Sequence, residues 1–238
     1  MKIQIIAYTD NRLFAYQPGV HRLPGNAGGS SFEDRAAGVD SWNSGHHQQN
    51  VIEFAGRLCY ESWDMPNLST ATSEGYIRNI IKQGHFSVLE HASVTFYVEG
   101  VSRNLSHELI RHRHLSFSEL SQRYVNMSDA SVVEPPAVTG YPDTLVRSTT
   151  HDDYTEIVTT LVEEGKTRKQ AREAARYYLP SGVETKFVVT GNLRAWRDVL
   201  SKRHSKHADA EMQIFAEEIL EQLHELYPNV FEDITKEM

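Results

Sequence analysis

Only one cysteine, Cys59, occurs in the 238 residues, which excludes an intramolecular disulfide and any cysteine-based metal site. Basic residues are also short: 24 Lys and Arg stand against 32 Asp and Glu, for a formal net charge of -8. Binding to nucleic-acid backbone in general needs a basic face, so that class is disfavoured and positive charge must act locally. No run approaches the roughly 20 apolar residues that cross a bilayer. The opening MKIQIIAYTDNRL lacks the basic segment, apolar run and cleavage site of a secretory signal, so a cytoplasmic location is expected. There is no GxGxxG fingerprint and no internal repeat or linker. The length and the 39% hydrophobic content are expected to give a single domain over residues 1–238.

What is present reads as many helices and few strands. KIQIIAY (Lys2 to Tyr8) has the composition of a strand, whereas residues 17–49 are rich in Gly, Ser, Pro, His and Asn and are expected to form a loop or flexible excursion. Helices are predicted over Asn50 to Tyr60, from a Thr72 or Ser73 cap to a Gly84 stop, over Arg103 to Arg113 behind a Ser102 cap, Asp152 to Glu164, Thr167 to Tyr178, Leu193 to Arg203, and Ala208 to Leu226. Strands are predicted over Ser93 to Val98 and Thr185 to Thr190. Ser87 with Glu90, and Ser116 with Glu119, have capping-box spacing, so each pair predicts a helix start. The fold class expected is α+β, mixed helices with a small, mostly antiparallel sheet. Val51, Phe54, Ala55, Leu58 and Cys59 share one helical face, which makes Cys59 a core residue rather than a nucleophile.

The chemistry concentrates in RHRHLSFSELSQRY, residues 111–124, with three arginines, two histidines, three serines and one glutamate. A zinc site fails on spacing. His107-Glu108 begins like HExxH, but Arg111 occupies the required fourth position and His112 lies five residues on, roughly 140° round the helix. Guanidinium groups match phosphate and carboxylate geometry, so an anion site is one reading and a solvated basic face paired to acids is the other. TRKQAREAAR favours the first, because Arg168, Arg172 and Arg176 repeat at four-residue steps and like charges so spaced destabilise a helix. Glu164 could pair with Arg168, but only Glu173 stands near the other two. A third cluster comprises Arg194, Arg197, Lys202 and Arg203. Three such clusters in an acidic chain point to a pocket for phosphate-bearing ligands.

Arg111-His112-Arg113, seven residues, then Ser121 resembles the signature of the flavin-dependent thymidylate synthases, the ThyX family. GHFSVLEHAS, SHELIRHRH, ELSQRYV, ETKFVVTGNLRAW and RHSKHADAE look like family blocks in the family's order, from about Val51 onward. The resemblance implies a homotetramer with active sites between subunits. Such an enzyme methylates dUMP to dTMP with carbon from methylenetetrahydrofolate, FAD as redox cofactor and NADPH as reductant, and uses no cysteine nucleophile. It implies no metal and no nucleic-acid or membrane partner. The competing expectation is a nucleotide-binding protein of the same fold that has lost catalysis.

By the same resemblance Ser87 is a flavin contact, and Arg111, His112 and Arg113 span the flavin and nucleotide sites. Glu119 falls where both ligands are touched. Ser121, Gln122 and Arg123 would hold the dUMP phosphate, Glu108 opens the nucleotide-contacting stretch, and Arg176 is a further dUMP ligand. Asn192, Arg194 and Asp198 match FAD positions, although Asp198 stands where His or Asn is expected. Arg203 would contact the uracil as the catalytic residue. An arginine does not readily act as a base, so its role is to stabilise negative charge developing on the pyrimidine.

Overall fold

The computed structural model describes residues 1–10, 49–60, 62, 69–70, 72–138 and 150–235. Nearly all of the 17–49 segment lies outside the described residues. In chain order the elements are β1 (Lys2–Tyr8), α1 (Asn50–Tyr60), α2 (Ser73–Gln83), a 3-10 turn (Phe86–His91), β2 (Ser93–Ser102), α3 (Arg103–Leu109) and β3 (Ser116–Glu119). After these come α4 (Thr150–Glu163), α5 (Arg168–Ala175), β4 (Glu184–Asn192), α6 (Leu193–Arg203), α7 (Ala210–Leu226) and α8 (Pro228–Phe231). This is the α+β arrangement expected. No helix among the described residues is long and apolar enough to cross a membrane.

The strands form one sheet in the order β1-β2-β4-β3, with every pair antiparallel. Period-two alternation puts Val94, Phe96 and Val98 of β2 and Phe187 and Val189 of β4 on the buried face. That face packs against α6 and α7. Trp196 of α6 meets Phe96 edge-on at 5.0 Å and donates its indole N–H to the Val94 carbonyl at 3.2 Å. A Cβ at Gly191 would lie 3.1 Å from the Trp196 indole nitrogen and 2.4 Å from a Leu115 methyl, so glycine leaves room for both side chains. The register shift between Glu99 and Val101 is taken up at Gly100, whose φ of 71° is left-handed. A smaller cluster of Met127, Tyr154, Ala175 and Val183 joins α4 and α5 to the chain after β3.

The predicted caps hold where the local signal is strong. Thr72 accepts from Gly75 N–H and Gly84 closes α2 at φ 69°, while Ser102 accepts from Leu105 N–H. Two capping boxes do not form. The Ser87 stretch is a 3-10 turn without a side-chain cap, its Glu90 taken by Arg194 at 2.6 Å. Ser116 to Glu119 is strand β3, because Phe117 and its neighbours complete the ladder on β4 and long-range pairing overrides the short local motif. Helix α3 accordingly stops at Leu109, not Arg113, and residues 110–115 turn into β3.

Cys59 is exposed, contrary to the core position expected of it, and Leu58 and Tyr60 are exposed beside it. Helix α1 instead buries Ile52, Glu53, Gly56 and Arg57. Of the predicted face Val51 and Ala55 do pack against the core, but its end at Leu58 and Cys59 is turned outward, because an internally satisfied ion pair occupies the buried side. Arg57 Nε donates to Glu53 at 2.7 Å, and its two Nη atoms donate to the carbonyls of Ser62 and Thr70. Its guanidinium lies 4.5 Å over the Tyr76 ring, and Ser73 Oγ donates to the second Glu53 oxygen. Removing one partner of such a pair strands a buried charge, so Glu53→Ala is expected to cost about 3–5 kcal/mol. Cys59→Ser should stay within about 0.5 kcal/mol; urea unfolding midpoints check both.

Candidate active site

Helix α3 leaves the end of β2 with Arg103, Ser106, His107 and Ile110 along one side, at the i, i+3, i+4, i+7 spacing of a helical face. These residues line a cavity of about 270 Å³, and Glu119, Gln122 and Arg176 complete its wall. Three of the residues expected at the nucleotide thus converge from β3, the turn after it and the end of α5. Glu119 is fixed by three donors. Ser106 Oγ and Thr185 Oγ1 each donate to its Oε1 at 2.9 Å, and Arg103 lies 3.4 Å away. Arg103, Ser106 and Thr185 were not singled out from the sequence, and His107 was weighed only as a zinc ligand; the polar face of SRNLSHELI was the signal available for Arg103, Ser106 and His107.

Gln122 is the informative wall residue. It is 7% exposed, and its Nε2 is buried with no hydrogen-bond partner among the described residues. A buried amide N–H left unpaired costs about 1–3 kcal/mol, so a ligand acceptor at this wall removes a standing penalty. Arg176 at the same wall has no ion-pair partner among the described residues, nor do Arg111 and Arg113 on the turn after α3.

The remaining arginines are divided between anion-seeking and structural roles. Arg123 pairs with Glu173 at 3.0 Å, and Arg172 donates to the Tyr124 carbonyl, so α5 clamps the turn that carries Ser121, Gln122 and Arg123. Glu164 and Arg168 do not pair. Helix α4 ends first, and Gly165, at φ 87°, reverses the chain before Thr167 caps α5. In the third cluster Arg197 grips Asp233 with two bonds of 2.7 Å and Lys202 grips Asp198, which leaves Arg203 as its chemically interesting member.

Arg203, at the end of α6, links two elements. Its Nη1 donates to Glu108 of α3 at 2.9 Å and its Nε donates to His112 Nε2 at 3.0 Å. His112 Nδ1 lies 3.5 Å from Asp198 Oδ2. Burial and the adjacent Arg203 guanidinium push the His112 pKa below the ordinary histidine value, with Asp198 pulling the other way. Burial raises the Glu108 carboxyl, and a shared hydrogen bond with Asp209 adds to this against the pull of Arg203 and Arg111. Glu108 and Asp209 line a second cavity, of about 370 Å³, which meets the first at Asn104 and Ser181.

Three of the flavin-assigned residues, Ser87, Asn192 and Arg194, lie toward the other end of α6, whereas His112 and Asp198 lie beside Arg203. Asn192 Oδ1 caps that helix by accepting from Ala195 N–H at 2.8 Å, which leaves its amide group without a partner among the described residues. Arg194, two residues on, and Ser87 are both exposed, and Arg194 reaches Glu90 of the 3-10 turn that carries Ser87. One chain does not close these residues round the same cavity as Gln122 and Arg176.

Three comparisons with known proteins bear on this geometry. Residues 40–229 match the family model described as thymidylate synthase complementing protein. The flavin-dependent thymidylate synthase of Mycolicibacterium vanbaalenii is 53% identical over 195 residues, covering 77% of this chain and 78% of that one. The Mycobacterium tuberculosis protein of the same description is 50% identical over 197 residues, with the same coverage. Among solved structures, Helicobacter pylori ThyX with FAD and dUMP aligns at a TM-score of 0.61 and 23% identity, over 79% of this chain and 95% of its own. A second structure of that protein, also complexed with FAD and dUMP, aligns at 0.65 and 20% identity over 99% of this chain and 100% of its own. At those identities the likeness shows the shared fold.

The His112 geometry predicts a pH dependence. A histidine whose folded pKa lies below its unfolded value contributes stability that is full above the unfolded value, about 6.5, and is lost as pH falls through the folded one. Protonated Nε2 no longer accepts from Arg203. The melting-temperature gap between the protein and its His112→Phe variant is therefore expected to narrow as pH falls from about 7 to about 5, which thermal melts at the two pH values measure.

Proposed function

This chain belongs to the flavin-dependent thymidylate synthase family, and we propose that it converts dUMP to dTMP by reductive methylation. The carbon comes from methylenetetrahydrofolate and the reducing equivalents from NADPH. The observation that carries the reading is the wall where Gln122 holds out a buried amide and Arg176 a guanidinium, neither with a partner among the described residues. Charge-assisted bonds from a guanidinium and neutral N–H donors together suit a nucleotide phosphate.

On this reading Ser121, Gln122, Arg123 and Arg176 hold the phosphate, and Glu119, fixed by Ser106 and Thr185, accepts from the nucleotide and flavin side. Ser87, Arg111, His112, Arg113, Asn192 and Arg194 fit FAD, because Arg111, Arg113 and the Asn192 amide present donors with no hydrogen-bond partner among the described residues. The flavin, when bound, supplies the redox chemistry that no side chain can. Arg203 faces the pyrimidine with the guanidinium hydrogens that Glu108 and His112 do not take, and stabilises negative charge as the ring carbon at position 5 becomes nucleophilic. The position 5 proton then leaves and a methyl group takes its place. No thiol adduct is needed to activate that carbon, and Cys59, the single cysteine, is exposed on α1 outside both cavity linings.

Among the described residues of one chain, Ser87, Asn192 and Arg194 of the flavin set stand apart from the cavity that Gln122 and Arg176 line. A homotetramer with its active sites between subunits would bring one chain's flavin residues to its neighbour's phosphate wall. A visible spectrum of the purified protein and an assay for dTMP from dUMP, methylenetetrahydrofolate and NADPH test the reading. A colourless protein that stays inactive with added FAD would defeat it. Arg176→Ala is expected to raise the KM for dUMP by about tenfold to a hundredfold. Arg203→Ala should lower kcat far more than FAD content, and equal losses would contradict its assignment.

A further inference from the structure

We infer that Asp198 is a positioning residue: through His112 it fixes the orientation of the Arg203 guanidinium, and its contribution to the reaction does not depend on touching the flavin. The inference rests on the assignment of Arg203 proposed above. It starts from a donor that has no choice. A guanidinium Nε always carries its hydrogen, so His112 Nε2, 3.0 Å from Arg203 Nε, must be the bare, accepting nitrogen. The ring proton then sits on Nδ1, and the group facing Nδ1 is the Asp198 carboxylate at 3.5 Å. A carboxylate behind a histidine selects the tautomer in which the facing nitrogen is protonated.

The arrangement is braced at both ends. Lys202 donates to both Asp198 oxygens, at 2.6 and 2.7 Å, which holds the carboxylate ionised and in place. Glu108 takes the Arg203 Nη1 hydrogen at 2.9 Å. With Nε and one Nη1 hydrogen occupied, the three remaining guanidinium hydrogens point in directions set by the plane that His112 and Glu108 define. Without Asp198 the Nε2–H tautomer becomes accessible, and its hydrogen opposes that of Arg203 Nε. The Asp198, Lys202 and Arg203 charges all come from α6, Lys202 and Arg203 standing four and five residues after Asp198, and the ring they order comes from the turn after α3. Asparagine keeps an acceptor oxygen toward Nδ1–H and should substitute; alanine should not.

The test compares the protein with Asp198→Ala and Asp198→Asn. Nitrogen NMR of histidine-labelled protein, with the His112 signal identified by its loss in His112→Phe, is expected to show the Nδ1–H tautomer in the parent and in Asp198→Asn. It should show a mixture in Asp198→Ala. The kcat for dTMP formation is expected to fall about tenfold or more in Asp198→Ala, the effect of about one lost hydrogen bond at the transition state. FAD content and the KM for dUMP should hold, and Asp198→Asn should restore kcat to within about threefold. In a His112→Phe background, Asp198→Ala should add no further loss. FAD loss in step with activity would make Asp198 a flavin contact and overturn the proposal. An unchanged tautomer, or additive losses in the double variant, would also overturn it. If the parent protein forms no dTMP, the catalytic reading fails separately, and the NMR comparison still decides whether Asp198 sets the His112 tautomer.

Discussion

Antiparallel pairing of β2 with β4 is the constraint on which the site depends. The ladder runs from Ser93 opposite Asn192 to Ser102 opposite Glu184, so α3 and α6 start at opposite ends of the same two strands. Each helix begins on a residue that caps it, Ser102 for α3 and Asn192 for α6, and neither cap allows slippage by a residue. Helix α6, held to the sheet by Trp196, then runs back along β2 for roughly 16 Å, and its last residue, Arg203, arrives beside Glu108 of α3. A slip of one residue in the ladder would turn Val94, Phe96 and Val98 to the outer face and carry Arg203 away from its partners.

Charge is used in two ways on this frame. Arg57, Arg123, Arg194, Arg197 and Lys202 are each bound to a carboxylate, and the first of these pairs lies deep enough to organise α1 and α2. Arg111, Arg113 and Arg176 are left without such partners among the described residues, and Arg176 shares a cavity wall with a buried amide that has no hydrogen-bond partner there. In an acidic chain this selective sparing of arginines, rather than any overall positive field, is what prepares the site for phosphate-bearing ligands. The Glu108–Asp209 contact shows the same economy with acids: burial keeps that carboxyl above its ordinary range, where it remains a partner for Arg203.

Much of this was legible from sequence where the determining physics is local. The bounds of β1, α1 and α6, the caps Thr72, Gly84 and Ser102, and the presence of α7 follow from periodicity and capping chemistry within a few residues. The family was legible too, because Arg111-His112-Arg113 and Ser121 stand at a specific spacing. The failures share one cause. Cys59 lost its core position to the Glu53–Arg57 pair, which Thr70, Ser73 and Tyr76 hold in place, and the Ser116–Glu119 capping box lost to pairing with β4; in each case contacts from another element outweighed a short pattern.

The sequence by itself therefore determined the elements, the fold class and the residues rich in donors, since propensity, capping and side-chain chemistry are properties of neighbours along the chain. Only the tertiary structure decided which of those donors are spent and which remain. Arg194, Arg197 and Arg203 look alike within eleven residues of helix, yet the first two close ion pairs with Glu90 and Asp233, while the third is shared between Glu108 and His112 with hydrogens to spare. That distinction depends on partners more than thirty positions away, which the sheet brings near and no local pattern encodes.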